Sequence, residues 1–288
     1  MDAPRPRRSV LYMPGANERA LAKAETLPAD ALILDLEDAV APDAKAEARE
    51  RVCEAAASDR YGGREVTIRV NAAGTPWHDD DLRAVAGAGP AAVVVPKVDS
   101  AGAVHAIEKA LAAGGAPDGT AMWAMLETPR AMLHAEEICA ASERLTVLVM
   151  GTNDLAKELQ AEHVPGRQPL LPGIGLCLLA ARTTGKVILD GVYNDITDTD
   201  GFEAECRQGR QLGFDGKTLI HPSQLEPCNR VFAPAPDEVE RARRIIEAFE
   251  QAQVEGRGVV TVDGRMVENL HVEQARRTLA LAEAIERL

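Results

Sequence analysis

Aromatic residues are scarce: 3% of 288 positions, with two Trp, three Tyr and four Phe. A core must therefore be built from Ala, Val, Ile and Leu, for which a hydrophobic content of 46% is sufficient. Positive charge is also short. Lys and Arg number 32 against 45 Asp and Glu, a formal net charge of -13 at pH 7. That balance argues against a nucleic-acid partner, because phosphate binding draws on a basic surface. It leaves room for a small anion held by a few local cations. The five cysteines, Cys53, Cys139, Cys177, Cys206 and Cys228, are scattered, odd in number and without CxxC spacing. They read as reduced structural thiols, which places the protein in the cytoplasm. No run approaches the ~18 consecutive apolar residues of a membrane span. The basic N-terminus MDAPRPRRSVLYMPG carries too short an apolar run for a signal peptide, so no membrane partner is expected.

What the chain does have is eight short runs rich in Val, Ile, Leu or Met: SVLYMP (9–14), ALILDLED (31–38), EVTIRVN (65–71), AAVVVPK (91–97), AMWAMLE (121–127), LTVLVMG (145–151), KVILDGV (186–192) and GKTLIHP (216–222). Between them NERALAKAETL, PDAKAEARERVCEAAA, SAGAVHAIEKALAA and PRAMLHAEEICAAS place apolar residues at i, i+3, i+4 spacing. The runs begin about 22 to 41 residues apart, the chain that strand, crossover helix and parallel strand require. Eight such units, with strands apolar on both faces, predict a (β/α)8 TIM barrel in the α/β class. A doubly wound open sheet is the rival. It is disfavoured by the count of eight and by the lack of a GxGxxG stretch at the first strand–helix turn.

The chain continues past the eighth run. Residues 234–256 predict a long helix with Pro near its start, VVTVDGRMVE (259–268) a hairpin turning on Asp263-Gly264, and VEQARRTLALAEAIERL a closing helix. The expected organisation is a barrel domain over 1–232 and a C-terminal helix–hairpin–helix extension over 233–288 that packs on a neighbouring subunit.

In such barrels the chemistry gathers at the C-terminal strand ends. Nearly every run delivers a polar group there: Asp35, Glu37 and Asp38; Arg69 and Asn71; Lys97; Glu127; Asp154 of GTND; Asp190, Asn194 and Asp195; His221. Glu127 and Asp154 end adjacent strands, and two carboxylates completed by water suit Mg²⁺. Asp35, Glu37 or Asp38 would then hold the metal's waters. The alternative is that Asp154 merely caps the helix NDLAKEL, as Asp43 and Asp79 are expected to cap theirs. Arg69 is either a fork for a substrate carboxylate or a structural ion pair. Lys97 reads as a Schiff-base nucleophile, an anion ligand or a salt bridge. His221 is a ligand contact or a packing residue. His78, His105, His134, His163 and His271 show no metal spacing and read as surface residues. A cation, a carboxylate clamp and anion-binding groups together suit a 2-oxo acid whose carbon–carbon bond is made or broken through an enolate.

RSVLYMPGANERALAKA, ALILDLEDAVAPDAKAEAR, IRVN, VPKV, LETPR, GTNDLAKEL, GFDGKTLIHPSQ and DGRMVENLHVEQAR resemble, in order and over nearly the whole chain, the citrate lyase beta subunit-like family of CoA ester lyases. The resemblance implies a Mg²⁺-dependent barrel acting on an acyl-CoA substrate as a homotrimer or hexamer. It implies Glu127 and Asp154 as metal ligands and Arg69 as the arginine that binds the substrate carboxylate, with Arg69, Glu37 and Asp38 expected in the catalytic cluster. Lys23, Gly151, Asn153, Ile220 and His221 are implied as substrate or CoA contacts. The acid after the C-terminal hairpin, which in the family reaches a neighbour's active site as general acid/base, matches Glu268. Many lyases of the family carry Asp there; the extra methylene displaces the carboxylate by more than about 1 Å, enough to matter in catalysis. The sequence is most similar to the (3S)-malyl-CoA thioesterase branch, so hydrolysis of a malyl-CoA-type thioester to hydroxy acid and CoA is the expected activity. The alternatives are a lyase of malyl-, methylmalyl- or citramalyl-CoA, a subunit active only within a citrate lyase complex, and a metal-free aldolase using Lys97.

Overall fold

Eight strands, β1 (Ser9–Pro14), β2 (Ala31–Asp35), β3 (Glu65–Arg69), β4 (Ala92–Val95), β5 (Ala121–Leu126), β6 (Leu145–Met150), β7 (Val187–Asp190) and β8 (Gly216–Leu219), close a barrel in sequence order, with β8 pairing back to β1. This computed structural model describes residues 5–256 and 258–288. All the barrel pairings are parallel, as βαβ crossovers dictate. The register places Pro14, Asp35, Arg69 and Val94 in one cross-strand row. The eight apolar runs and the fold class are borne out.

Alternate residues of the strands, among them Val10, Ala31, Ile33, Ala92, Val94, Trp123, Met125, Val147, Val149 and Leu189, form one buried cluster. Most are small or branched, which is how a barrel is filled with so few rings. At the N-terminal end, Arg7 pairs with Glu65 at 2.6 Å and Arg8 with Asp30 at 2.8 Å.

Around the strands run α1 (Glu18–Ala24), α2 (Lys45–Ala57), α3 (His78–Ala88), α4 (Ala101–Ala113), α5 (Pro129–Leu133), α6 (Ala135–Ala140), α7 (Thr152–Leu159), α8 (Leu171–Thr184), α9 (Thr199–Leu212) and α10 (Leu225–Phe232). Asn17, Ser100, Thr128 and Asp198 accept the N-cap hydrogen bonds of α1, α4, α5 and α9. Three local expectations are corrected. Asp43 lies within a 3-10 turn, Pro42–Ala44, and Asp79 within α3, so neither is an N-cap. The periodic stretch after Pro129 is two helices rather than one, because His134 (φ -110, ψ 16) departs from helical geometry.

The chain divides into two compact units, Arg7–Asn229 and a second containing Arg230–Leu288. The second holds α11 (Pro236–Val254), the hairpin β9 (Val260–Val262) and β10 (Arg265–Val267), and α12 (Asn269–Glu286). Phe249, Val262, Val267 and Val272 form its own core. Positive φ at both Asp263 (49) and Gly264 (74) is what a two-residue turn of this type requires. The closing helix starts three residues earlier than its apolar pattern, because the Glu268 N–H donates to His271 Nδ1 at 3.0 Å and caps a polar first turn. Among the described residues no helix is long and apolar enough to cross a membrane.

Candidate active site

Period-two alternation decides which residues reach the mouth of the barrel. Beyond Ile33, Thr67, Met125 and Val149, the next positions of the same parity are Asp35, Arg69, Glu127 and Gly151. A cleft of about 400 Å³ opens there. Of the residues singled out in the sequence, Asp35, Asp38, Arg69, Glu127, Gly151, Asn153, Asp154, Asn194 and Ile220 line it, with Tyr12 and Thr218. Glu37 adjoins it through Arg69. Lys23, exposed on α1, and His221 are not among the lining residues. His221 bonds Ser223 Oγ through Nδ1 at 2.7 Å, and its own N–H and that of Ile220 donate to Gln224 Oε1. Glu268 belongs to the second unit, as the N-cap residue of α12.

The acids after β2 divide their work. Asp35 is 1% exposed and accepts Arg69 Nε at 2.6 Å and Nη2 at 2.7 Å. It also accepts the N–H groups of Glu37 and Ala39. Its oxygens are thus engaged in fixing the loop and the guanidinium. Arg69 Nη1 lies 2.9 Å from Glu37 Oε2 and 3.4 Å from Asp38 Oδ2. The fork of Arg69 therefore grips Asp35, and Nη1 is the nitrogen shared with Glu37 and Asp38. Burial opposes the Arg69 charge, but Asp35, Tyr12 and Glu37 more than restore it and raise its pKa. Lys45 Nζ ties the loop from below, donating to the carbonyls of Leu36 at 2.7 Å and Glu37 at 2.6 Å. Glu37 is pushed up to about 8, first by burial and then by Asp38, Glu127 and Asp35, with Arg69 acting against them.

Glu127, 2% exposed, follows β5 directly. Its Oε1 accepts the Lys97 N–H at 2.7 Å, and Lys97 takes the left-handed conformation (φ 54). A side chain at position 151 would collide with the Glu127 carboxylate and its Cβ, so only glycine leaves room for Glu127 to lie across the end of β6. Burial, then the charge of Asp154, push the Glu127 pKa up to about 7. Asp154 lies in the first turn of α7, whose N-cap Gly151 makes no side-chain cap bond, so capping does not account for it. Lys97 Nζ is 3.7 Å from Asp154 Oδ1. Burial disfavours its charge, but Asp154, Glu127 and Glu37 outweigh that and raise its pKa, so it is an ammonium rather than a free amine.

This donor set fits a magnesium ion. Two carboxylates that follow adjacent strands, Glu127 just after β5 and Asp154 in the helix after β6, repel each other in a partly desolvated cleft, and a dication relieves that conflict. Among the described residues no group of three or more His, Cys, Asp or Glu could hold a metal. The remaining positions of a cation at Glu127 and Asp154 thus fall to water or ligand oxygens, the coordination Mg²⁺ prefers.

Several features escaped sequence reading. Asn153 and Asn194 exchange reciprocal amide bonds of 3.0 and 2.8 Å, joining the β6 and β7 ends. Lys217, fully buried in β8, donates to Asp190 at 3.1 Å and Glu205 at 2.7 Å, and Arg167 reaches Asp190 at 2.6 Å, so Asp190 is a structural ion partner. His78 is buried rather than at the surface: Nδ1 meets the Asn71 carbonyl at 2.7 Å, beside an Asn71–Asp81–Arg49 cluster. Tyr12 carried the one available signal, a hydroxyl at an inward-facing position of an apolar strand.

Residues 8–222 match the family described as HpcH/HpaI aldolase/citrate lyase, and residues 174–285 match a C–C bond lyase family of the TIM-barrel fold. The chain is 54% identical over 280 residues to a (3S)-malyl-CoA thioesterase of Cereibacter sphaeroides, covering 97% of this chain and 96% of that protein. It is 40% identical to the citrate lyase subunit beta of Escherichia coli, covering 97% and 94%. The structure of CitE from Mycobacterium tuberculosis in complex with magnesium, acetoacetate and coenzyme A superposes with a TM-score of 0.79 at 30% identity, covering 96% of this chain and 97% of that one. The closed barrel, the paired carboxylates at its mouth and these likenesses agree: the chain belongs to the HpcH/HpaI aldolase/citrate lyase family.

Proposed function

We propose that the protein is a Mg²⁺-dependent thioesterase that hydrolyses a malyl-CoA-type ester to the hydroxy acid and free CoA. The observation that carries this reading is the Glu127–Asp154 pair, with Glu127 buried and its pKa raised in a cleft cleared by Gly151, in a chain 54% identical to a (3S)-malyl-CoA thioesterase. Bound there, Mg²⁺ would supply a Lewis-acid pole for oxygens of the acyl group. Glu127, oriented by the Lys97 N–H, and Asp154 would hold it. Arg69 Nη1, already shared between Glu37 and Asp38, is the cationic edge nearest an incoming carboxylate. The Asn153–Asn194 pair and the β8 turn at Ile220–His221, locked by Gln224, border the space for the acyl chain and CoA, with Lys23 a more distant contact.

Hydrolysis needs a group to take a proton from the attacking water. We assign it to Glu268, supplied by a neighbouring subunit of a homotrimer or hexamer, with residues 233–288 as the extension that carries it across. Four buried free thiols and a half-buried fifth, with no helix among the described residues suited to a membrane, support a cytoplasmic location. A second reading is carbon–carbon cleavage, favoured by the 40% identity to a citrate lyase subunit beta. The protonated Lys97 weighs against a metal-free Schiff-base aldolase.

The test is incubation of the purified protein with (3S)-malyl-CoA and Mg²⁺. Malate with free CoA is expected. Glyoxylate with acetyl-CoA would establish the lyase instead, and no turnover would overturn both.

A further inference from the structure

Tyr12 lies on β1 and packs against the barrel-interior cluster, with its ring at the cleft. The Arg69 guanidinium sits 4.8 Å from the ring centroid. A tyrosine hydroxyl in such a place ordinarily finds an oxygen or nitrogen partner. Among the described residues this one meets only the Met125 thioether, at 3.8 Å, and thioether sulfur is a weak acceptor. The charged groups around it are Arg69 and, in surplus, Asp35, Glu127 and Glu37. Burial first, and then these carboxylates, hold the phenol above its usual range against Arg69, so it is a donor at neutral pH. The Arg69 guanidinium beside the ring is already paired with Asp35 and Glu37, so no unpaired cation stands at this hydroxyl for a ligand carboxylate, whereas an uncharged oxygen suits a neutral donor.

We propose that the Tyr12 hydroxyl donates a hydrogen bond to an uncharged oxygen of the substrate's acyl group, either its hydroxyl or its thioester carbonyl. The inference rests on the CoA-ester reading above. It makes Tyr12 a contact for the reacting half of the substrate.

The test is Tyr12→Phe in the full-length, Mg²⁺-loaded protein, assayed for kcat and KM on (3S)-malyl-CoA and on succinyl-CoA, which lacks the hydroxyl. Phenylalanine keeps the ring under Arg69. A neutral hydrogen bond corresponds to a loss of about three- to tenfold. If the partner is the hydroxyl, kcat/KM falls by that factor on malyl-CoA alone, and the preference for the hydroxy ester shrinks accordingly. If the partner is the thioester carbonyl, kcat falls on both esters while KM holds. Unchanged parameters on both esters overturn the proposal. So does a loss that is accompanied by an equal loss of Mg²⁺ affinity, because that marks a disturbed site. Failure of the wild-type protein to turn over malyl-CoA would instead overturn the functional reading, and the inference with it.

Discussion

The Glu127 carboxyl titrates near 7 in the metal-free protein, against an ordinary value of 4.5, and this makes Mg²⁺ binding a proton exchange. The sign is fixed by the direction of the shift. A raised folded-state pKa means that folding favours the protonated acid. The stability it contributes is complete below pH 4.5 and is lost as pH rises through about 7. At roughly 1.4 kcal/mol per unit, the full loss is about 3 kcal/mol. Glu37, raised to about 8, pulls in the same direction. Mg²⁺ binds the ionised form, so its apparent affinity should weaken about tenfold between pH 8 and pH 6. Calorimetric titration at the two pH values, in buffers of differing ionisation enthalpy, reads both the affinity and the proton released. Metal-free thermal melts of the wild type and Glu127→Gln supply the control: the wild type should lose ground to the variant from pH 5 to pH 8, and saturating Mg²⁺ should restore it. Equal Mg²⁺ affinity at pH 6 and pH 8, or melts of the two proteins that run parallel, would refute the argument that Glu127 is a crowded acid awaiting a cation.

Asp154→Ala should abolish turnover and Mg²⁺ binding together; retained metal affinity by calorimetry would remove Asp154 from the ligand set. Gly151→Ala drives a methyl into the Glu127 side chain and should cost about 1–3 kcal/mol in a thermal melt, with weakened Mg²⁺ binding; a variant with wild-type affinity would contradict the close approach. Lys217→Met removes the ammonium shared by Asp190 and Glu205 while leaving them Arg167, and should destabilise the fold by about 1–3 kcal/mol in denaturant unfolding, with little effect expected in a cleft that Lys217 does not line. If Glu268 acts across a subunit boundary, mixing inactive Glu268→Gln with inactive Asp154→Ala under conditions of subunit exchange should restore activity; a mixture that stays inactive would count against the shared site.

Two kinds of regularity made the architecture legible. Eight apolar runs at crossover spacing specify a parallel barrel, and the Asp263-Gly264 pair specifies the hairpin turn because both residues must adopt positive φ. The same parity rule that fills the barrel also announces its rim, which is why Asp35, Arg69 and Glu127 could be picked out in sequence. Parity says which residues share a rim, but not which of them meet. That depends on cross-strand register, and the row Pro14–Asp35–Arg69–Val94 sets Arg69 beside Asp35. Arg69, for which sequence left a substrate fork and a structural ion pair both open, holds Asp35 with its Nε and Nη2 and leaves Nη1 to Glu37 and Asp38. Register likewise hides Lys217, whose partners come from β7 and α9, and burial hides His78, whose ring serves a backbone carbonyl. Gly151 is the subtlest case. Its contribution is the volume it leaves to Glu127, so no periodicity or charge pattern could single it out, although the motif around it did. With Asp35 neutralised by Arg69, the uncompensated negative charge at the rim falls on Glu127 and Asp154, offset only in part by Lys97 and Arg69. The cation site is thus the remainder of an electrostatic balance, and its place follows from which acid the arginine has already taken.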